Sequence, residues 1–380
     1  MNPLSSISVK NYKTIRNLDR FRFNNINILL GSNGAGKSNF LSLFRLLNHL
    51  TTQNLQDFIG RRGGADAFLF YGTKNSESFS VNIEFETDKG VNSYNFRLSY
   101  AAKNSMIFSD EVISFSKKNL PSETAPKYSL GSGHSESKLL LVKENGKIPI
   151  TSAKTANIVY STISKWRFFQ FHDTSETSGM KKDHYINDCS YLRDDAGNIA
   201  PFLFMMKGKY PDNYRKIIRM ISKVLPFFKD FILEPLALDN TRTTLDWMET
   251  GSDNRFGAFQ LSDGALRFIA LTTLLCQPEE LMPTAVIIDE PELGLHPAAL
   301  NLFSEMVKSA SKFTQIILST QSSPLINYFE PENIIVVDRI KENGFYCSKF
   351  QRLDEEELSI WLENYSLGEL WEKNILGGRP

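Results

Sequence analysis

The sequence GSNGAGKS, from Gly31 to Ser38, follows the apolar run INILL (26–30) and precedes apolar residues that recur at helical spacing. It matches the pattern G-x-x-x-x-G-K-[ST], in which the glycines let backbone N–H groups turn inward onto phosphate oxygens. In such a loop the lysine contacts the β- and γ-phosphates and the serine hydroxyl ligates Mg²⁺. The helix that follows adds its N-terminal dipole. The stretch therefore predicts a loop that binds ATP. The predicted nucleotide contacts are Asn33, Gly34, Ala35, Gly36, Lys37, Ser38 and Asn39, with Ser38 also a metal ligand.

A second motif, AVIIDEPE, runs from Ala285 to Glu292. Its apolar run predicts a buried strand that delivers Asp289 to Mg²⁺, directly or through water. Glu290 is then placed to orient or deprotonate the attacking water. An Asp–Glu pair after an apolar run is, by itself, a common strand end. The presence of the phosphate-binding loop favours the catalytic interpretation.

Three shorter motifs surround this acidic pair. LSDGALR (261–267) places Ser262 27 residues before Asp289 (289 − 262), GLHP (294–297) follows the pair, and LSTQS (318–322) ends the next apolar run. Taken alone, Ser–Asp–Gly is a routine turn or helix N-cap. The order and spacing of all the motifs resemble those of ABC-type ATPases, which reverses this preference.

The five motifs together resemble the ABC-type ATPase heads of RecF, the structural-maintenance-of-chromosomes (SMC) proteins and the overcoming-lysogenisation-defect nucleases. LSDGALRFIAL, IIDEPELGLHP, STQSS and the tail YSLGELWEKNILGGRP also look like stand-alone bacterial ATPases, some of them encoded beside a nuclease or toprim-like partner in phage-defence operons. The broad resemblance covers residues 1–115 and 255–380.

The resemblance implies an ATP-dependent dimer of heads and a catalytic set made of Lys37, Glu290 and Gln321. It implies that Ser262 and Gly264 approach the nucleotide held by the opposing subunit, with ATP and Mg²⁺ as cofactors. Gln321 stands where such ATPases often carry a His, and an amide cannot act as a charged base. Neither the long coiled coil of SMC proteins nor a C-terminal nuclease domain is expected here.

Gln53 and Gln56 are candidates for the Q-loop glutamine, although each also fits a solvated helix or loop residue.

The predicted fold is α/β, a P-loop NTPase of the ABC-ATPase head type, with a mixed sheet flanked by helices and an inserted, mainly helical lobe. The predicted segments are an N-terminal head part (1–115), the inserted lobe (116–254) and a C-terminal head part (255–380). Period-two or continuous apolar patterns predict strands at 5–10, 26–30, 80–85, 93–100, 109–115, 138–142, 285–289, 315–319 and 333–337. Predicted helices cover 37–50, 214–225 and 297–313, while 11–18 is expected to be a short connection and 117–137 a loop.

Composition restricts the class of protein. The 43 Lys and Arg residues balance 43 Asp and Glu residues, which argues against a protein that coats nucleic acid, although a local basic groove stays open. Three widely spaced cysteines suit a reducing cytoplasm better than a disulfide scaffold. Neither a membrane span nor a signal peptide is predicted.

Three functions compete. The first is an ATP-driven dimer that switches nucleic acid or a separately encoded effector nuclease, in phage defence or DNA maintenance. The second is a nucleotide sensor or scaffold with low turnover that restrains a toxic effector. The third is an autonomous nuclease, which has little support because no second acidic cluster has metal-site spacing. His172, Asp173, His184, Asp194 and Asp195 match no known ligand spacing, so we interpret them as mostly solvated.

Overall fold

The structure is a computed structural model that describes residues 3–118, 125–144 and 149–378. The chain divides into two compact units. The first comprises Met1–Trp166, Pro331–Ile360 and Lys373–Pro380, and the second comprises Arg167–Glu330 and Trp361–Glu372. In the described part of the chain, no helix is both long enough and apolar enough to cross a membrane.

Strands and helices alternate along much of the chain. The strands are β1 (Leu4–Tyr12), β2 (Ile15–Arg22), β3 (Ile26–Leu30), β4 (Ser78–Thr87), β5 (Gly90–Ala101), β6 (Ser105–Lys117), β7 (Lys127–Ser129), β8 (Trp166–Phe169), β9 (His184–Tyr185), β10 (Phe228–Ile232), β11 (Arg242–Thr243), β12 (Asp246–Glu249), β13 (Ala285–Asp289), β14 (Gln315–Thr320), β15 (Ile334–Glu342) and β16 (Phe345–Arg352). The α-helices are α1 (Lys37–Thr51), α2 (Leu55–Arg61), α3 (Leu139–Glu144), α4 (Ile150–Ile163), α5 (Ile199–Lys209), α6 (Pro211–Val224), α7 (Asp263–Leu275), α8 (Pro297–Ala310), α9 (Ser323–Ile326), α10 (Glu355–Leu362) and α11 (Leu367–Glu372).

An antiparallel sheet in the first unit has the strand order β2-β1-β4-β5-β6-β7. Its longer strands alternate between buried and more exposed residues, so Phe79, Val81, Ile83 and Phe85 of β4 all lie in the core. The strands predicted at 5–10, 80–85, 93–100 and 109–115 are therefore confirmed, each of them extended at its ends.

Two sequence-based predictions in this unit are wrong. Residues 11–18 are not only a connection, because β2 begins at Ile15 and pairs antiparallel with β1. As an edge strand with only Ile15 and Leu18 buried, β2 shows little of the apolar alternation that marks a strand. The apolar run 138–142 forms helix α3 rather than a strand, since a short apolar run does not by itself distinguish the two. Residues 119–124 of the predicted loop 117–137 lie outside the described residues.

The phosphate-binding loop follows a second group of strands in the first unit. All five residues of β3 are buried. The strand pairs parallel with β15, which pairs antiparallel with β16. Helix α1 then buries Phe40, Leu41, Phe44 and Leu47. The predicted succession of buried strand, glycine-rich turn and amphipathic helix is confirmed.

In the second unit, β13 and β14 pair in parallel, from Ala285 opposite Gln315 to Asp289 opposite Ser319. Helix α8 connects them, as a parallel pair requires. Because both strands run the same way, their carboxyl ends bring Asp289 and Ser319 side by side. The strands predicted at 285–289 and 315–319 are confirmed, and α8 ends at Ala310, before the predicted 313.

The segment 116–254 was predicted to be mainly helical. In its described part, helices α3 to α6 supply most of the regular structure, and strands β7 to β12 have two to five residues each. The boundaries 115/116 and 254/255 stay a prediction.

A buried carboxylate holds the loop before α3 against the antiparallel sheet. Glu111 of β6 is fully buried. Its Oε1 accepts hydrogen bonds from the hydroxyls of Tyr94 (2.6 Å) and Ser137 (2.5 Å), and its Oε2 accepts one from the Lys138 N–H (3.1 Å) and lies 2.7 Å from His134 Nε2. The same loop is joined to the α2 region, since Gln53 donates to Ser137 O and Gln56 donates to Met106 O and Ser135 O. Both candidate Q-loop glutamines are therefore used in these contacts.

Replacing Glu111 with Ala should strongly destabilise the first unit. The substitution leaves the Tyr94 and Ser137 hydroxyls and the Lys138 N–H buried without their acceptor, at a cost of about 3–5 kcal/mol. The exposed Glu86 on β4 gives the matched control, and Glu86→Ala should change stability by less than about 0.5 kcal/mol. Denaturant unfolding of both variants tests this. An equal effect of the two substitutions would contradict it.

Candidate functional site

The backbone of the phosphate-binding loop requires its glycines. Gly34 and Gly36 have positive φ values of 82° and 117°, which side-chain-bearing residues rarely adopt. A Cβ at Gly36 would also lie 2.0 Å from Ser348 Oγ, so the position has no space for a side chain. The loop therefore has the conformation that the sequence pattern predicts.

Lys37 is buried and directed back onto its own loop. Its Nζ donates to Gly31 O at 2.5 Å and to Ser32 O at 3.1 Å. These two bonds hold the ammonium beside the start of α1, where the motif requires a positive charge.

Two residues that the sequence analysis did not identify also fix this loop. Ser348 Oγ of β16 donates to Ala35 O at 2.6 Å and lies 2.8 Å from Thr14 Oγ1, whose hydroxyl can donate to it. Asn39 Nδ2 donates to Thr14 Oγ1 at 3.0 Å, so the Asn39 side chain supports the loop. Thr14 and Ser348 are more than 300 residues apart in the chain, so no local sequence motif could show that their side chains meet. The loop residues Asn33, Gly34 and Ser38 are exposed, whereas Ala35, Gly36 and Lys37 are buried.

In the second unit, the acidic loop after β13 contains a strained residue. Glu290 has φ 49°, in the left-handed region that costs a residue with a side chain about 1–3 kcal/mol. Its N–H donates to Ser319 O at 2.8 Å, which fixes the backbone against β14. The side chains of Asp289 and Glu290 are both half-buried. Such strain recurs at functional sites, and here it lies at the predicted catalytic base.

Glu292 joins the acidic loop to the loop that carries Gln321. Its Oε1 accepts hydrogen bonds from the Thr320 hydroxyl at 2.6 Å and from the Gln321 N–H at 3.3 Å. Burial raises the pKa of this carboxyl above its usual value. Its Oε2 is buried, and no described residue provides a hydrogen bond to it. Glu292 ends the DEPE motif, and no sequence pattern assigns a role to it. The position of Gln321 therefore depends on a carboxylate that precedes it by 29 residues.

The segment LSDGALR (261–267) leads into helix α7. Ser262 is exposed, and its hydroxyl accepts a hydrogen bond from Ala265 N–H at 3.2 Å as the N-cap. A Cβ added at Gly264 would lie 2.3 Å from Gly294 O, so this glycine permits close contact between α7 and the loop after the acidic pair. The N-cap interpretation is confirmed, and it leaves the exposed face of Ser262 open to another molecule.

His172, which the sequence analysis set aside, lies beside the acidic loop. Its Nε2 lies 3.1 Å from Asp289 O and its Nδ1 lies 3.2 Å from Gln170 Nε2. Because a carbonyl only accepts, the Nε2 atom carries the proton, and Nδ1 then accepts from the Gln170 amide. Asp173 instead accepts from Ser175, and His184 contacts Gly179 O. The candidate metal ligands His172, Asp173 and His184 thus each contact a different partner.

Comparisons with known proteins agree with this geometry. The family model described as "AAA domain, putative AbiEii toxin, Type IV TA system" matches residues 26–327. The chain belongs to this family. No curated protein sequence matches it.

Solved structures of SMC head domains are similar to this AAA domain. An SMC head bound to the C-terminal winged-helix domain of ScpA aligns with a TM-score of 0.58 at 14% identity, over 93% of this chain and 99% of that one. A Pyrococcus furiosus SMC head with an extended coiled coil, bound to the C-terminal domain of ScpA, gives 0.57 at 13% identity, over 96% and 99%. The fold is therefore that of SMC heads, which confirms the predicted α/β fold of the P-loop NTPase head type.

The residues of this AAA domain fit a nucleotide polyphosphate with Mg²⁺. The first turn of α1 contains neither an acidic residue nor a side-chain cap, so its N-terminus suits an anion. The exposed Ser38 hydroxyl and the half-buried Asp289 carboxylate are oxygen ligands of the kind that Mg²⁺ prefers. Among the described residues, no group of three or more His, Cys, Asp and Glu side chains is arranged for a metal. Mg²⁺ bound with a nucleotide needs only one or two protein ligands, because phosphates and water supply the rest.

Gly264→Ala should destabilise the second unit by about 1–3 kcal/mol, because the new methyl group would overlap Gly294 O. Gly257→Ala is the matched control. Its Cβ would meet Asp246 Oδ1 at an ordinary 3.7 Å, so its effect should stay within about 0.5 kcal/mol. Unfolding in urea measures both. Wild-type stability of the Gly264 variant would show that the backbone contact is not a constraint.

Proposed function

We propose that this chain binds ATP with Mg²⁺ and hydrolyses it, and that ATP joins two copies into a dimer. The observation that carries the proposal is the exposed N-terminus of α7. Ser262 and Asp263 are exposed. Ser262 also belongs to the motif LSDGALR, whose position among the other motifs matches a nucleotide-dependent function. A second copy that holds ATP on its own Lys37 provides a partner for this surface.

In this proposal, separate residues bind the phosphates, hold the metal ion and activate the water. The backbone N–H groups of the loop from Asn33 to Asn39 bind phosphate oxygens, and Lys37 neutralises the β- and γ-phosphates. Ser38 and Asp289 hold Mg²⁺, which when bound stabilises charge on the phosphate oxygens. Glu290 orients the attacking water and accepts its proton. Ser262 and Gly264 of one copy complete the site of the other copy.

Gln321 supports a slower reaction than a histidine would. It directly follows β14, and its backbone N–H donates to Glu292. Its side-chain amide can orient water but cannot take up charge. The alternative function, a nucleotide-dependent scaffold with low turnover that restrains a toxic effector, rests on this residue. Single-turnover and steady-state ATPase rates distinguish the two functions, since the scaffold predicts tight nucleotide binding with little turnover.

We further propose that the switch acts on a separately encoded effector such as a nuclease, in defence against phage or in DNA maintenance, with DNA or RNA as an additional partner. The family description names a toxin of a toxin–antitoxin system, and the similar SMC heads were solved with a bound protein. Both facts favour a protein partner. Identification by mass spectrometry of proteins that co-purify with the tagged chain, with and without ATP, tests this part.

Glu290→Gln should slow hydrolysis by about 10²–10⁴-fold while ATP binding persists, because the amide cannot accept the proton of water. The variant should therefore accumulate as an ATP-bound dimer in the presence of Mg²⁺. Sedimentation velocity with and without ATP measures this directly.

Lys37→Ala in the same Glu290→Gln background is the control. It removes the charge that neutralises the phosphates, so the double variant should remain monomeric with ATP. A Glu290→Gln variant that binds ATP and stays monomeric would refute the dimer switch.

A further inference from the structure

Arg267 on α7 binds three backbone carbonyls in two separate segments of the second unit. Its Nε donates to Phe171 O at 3.1 Å and its Nη2 donates to His172 O at 3.0 Å, across about 95 residues of sequence. Its Nη1 donates to Leu293 O at 3.2 Å. A planar guanidinium with donors in a fixed fork can make all three bonds, whereas a lysine ammonium is a single point charge.

Both segments lead to the predicted hydrolytic residues. Leu293 lies in the turn that begins at Glu290, and its N–H lies 3.4 Å from Glu290 O. His172 donates from Nε2 to Asp289 O, as described above. His172, Arg267, Asp289 and Glu290 also line one small cleft. The guanidinium therefore holds two segments that each contact the acidic pair, the turn at Leu293 and the segment at His172.

Arg267 itself lies on α7, the helix that Ser262 caps. Arg267 follows Gly264 by less than one turn of α7, and Gly264 itself packs against Gly294 O. A Cβ at Gly294 would lie 2.9 Å from Arg267 Nη1, so the guanidinium fills the space beside this loop. Ser262 is the N-cap of the same helix, so Ser262 and Arg267 belong to one element.

We propose that Arg267 is a positioning residue that couples helix α7, capped by Ser262, to the acidic loop. Contact of a second copy with Ser262 is passed through Arg267 to Leu293 and His172, and sets Asp289 and Glu290 for hydrolysis. The inference rests on the proposed ATP-dependent dimer and names the residue through which that dimer controls the reaction.

The test compares Arg267→Lys and Arg267→Ala with the wild-type chain. Lysine keeps the charge and the aliphatic stem but reaches one carbonyl at a time, and alanine removes all three bonds. We expect Arg267→Ala to lower kcat by about 10- to 100-fold, because small displacements of catalytic groups have effects of this size. Arg267→Lys should fall between alanine and wild type. KM for ATP should change less than about twofold in both variants, since the phosphate-binding loop is untouched.

Arg255→Ala is the matched control. Arg255 belongs to the same unit, is partly exposed and pairs with Asp246 at 2.6 Å, away from the acidic loop. This variant should keep the wild-type kcat and KM.

A double-mutant cycle distinguishes coupling from a purely structural role. If Ser262 acts through Arg267, the kcat of Ser262→Ala combined with Arg267→Lys should be no lower than that of the worse single variant. Additive losses would overturn the coupling, and so would a wild-type kcat in a folded Arg267→Lys variant.

A separate measurement distinguishes this inference from the proposed function. Glu290→Gln with Arg267 intact reports on the ATP-dependent dimer alone, and its failure to dimerise refutes the proposed function. Formation of that dimer, together with unchanged kcat in both Arg267 variants, refutes only the role of Arg267.

Discussion

The parallel pairing of β13 with β14 is the constraint on which the acidic site of the second unit depends. It sets Asp289 opposite Ser319, so that the two loops leaving the sheet begin side by side. The Glu290 N–H then bonds to Ser319 O, and the Glu292 carboxylate reaches the Thr320 hydroxyl. A shift of one residue in this register would turn every side chain of β13 to the opposite face of the sheet and separate these partners.

Close contact between the backbone of α7 and the loop after the acidic pair also stabilises the site. A methyl group at Gly264 would overlap Gly294 O, and one at Gly294 would lie 2.9 Å from Arg267 Nη1, so neither position admits a side chain without displacement of its neighbours. The strained backbone of Glu290 persists because this surrounding structure holds it. The conformational energy stored at the acidic loop is therefore offset by contacts that come from α7 and from the segment around His172.

Local patterns predicted much of the fold. Strands β3 and β13 begin and end where their apolar runs do, because strands buried on both faces are continuously apolar. Strand β2 and helix α3 were missed because an edge strand carries few buried residues and a short apolar run suits either structure. In the site, the positive φ at Gly36 agrees with the glycine pattern, whereas the roles of Glu290 and Ser262 remain predictions until they are measured.

The sequence by itself determined the backbone of the loop after β3, since glycines readily adopt the positive φ values found at Gly34 and Gly36. Its lysine and hydroxyl residue predict a phosphate ligand. It also determined the family, through motifs whose order is a property of the chain. The tertiary structure alone decided that Glu292 holds the loop of Gln321, that His172 contacts Asp289, and that Arg267 joins α7 to His172. These partners are 29 to 117 residues apart in the chain, so no local spacing could have shown that folding brings them together.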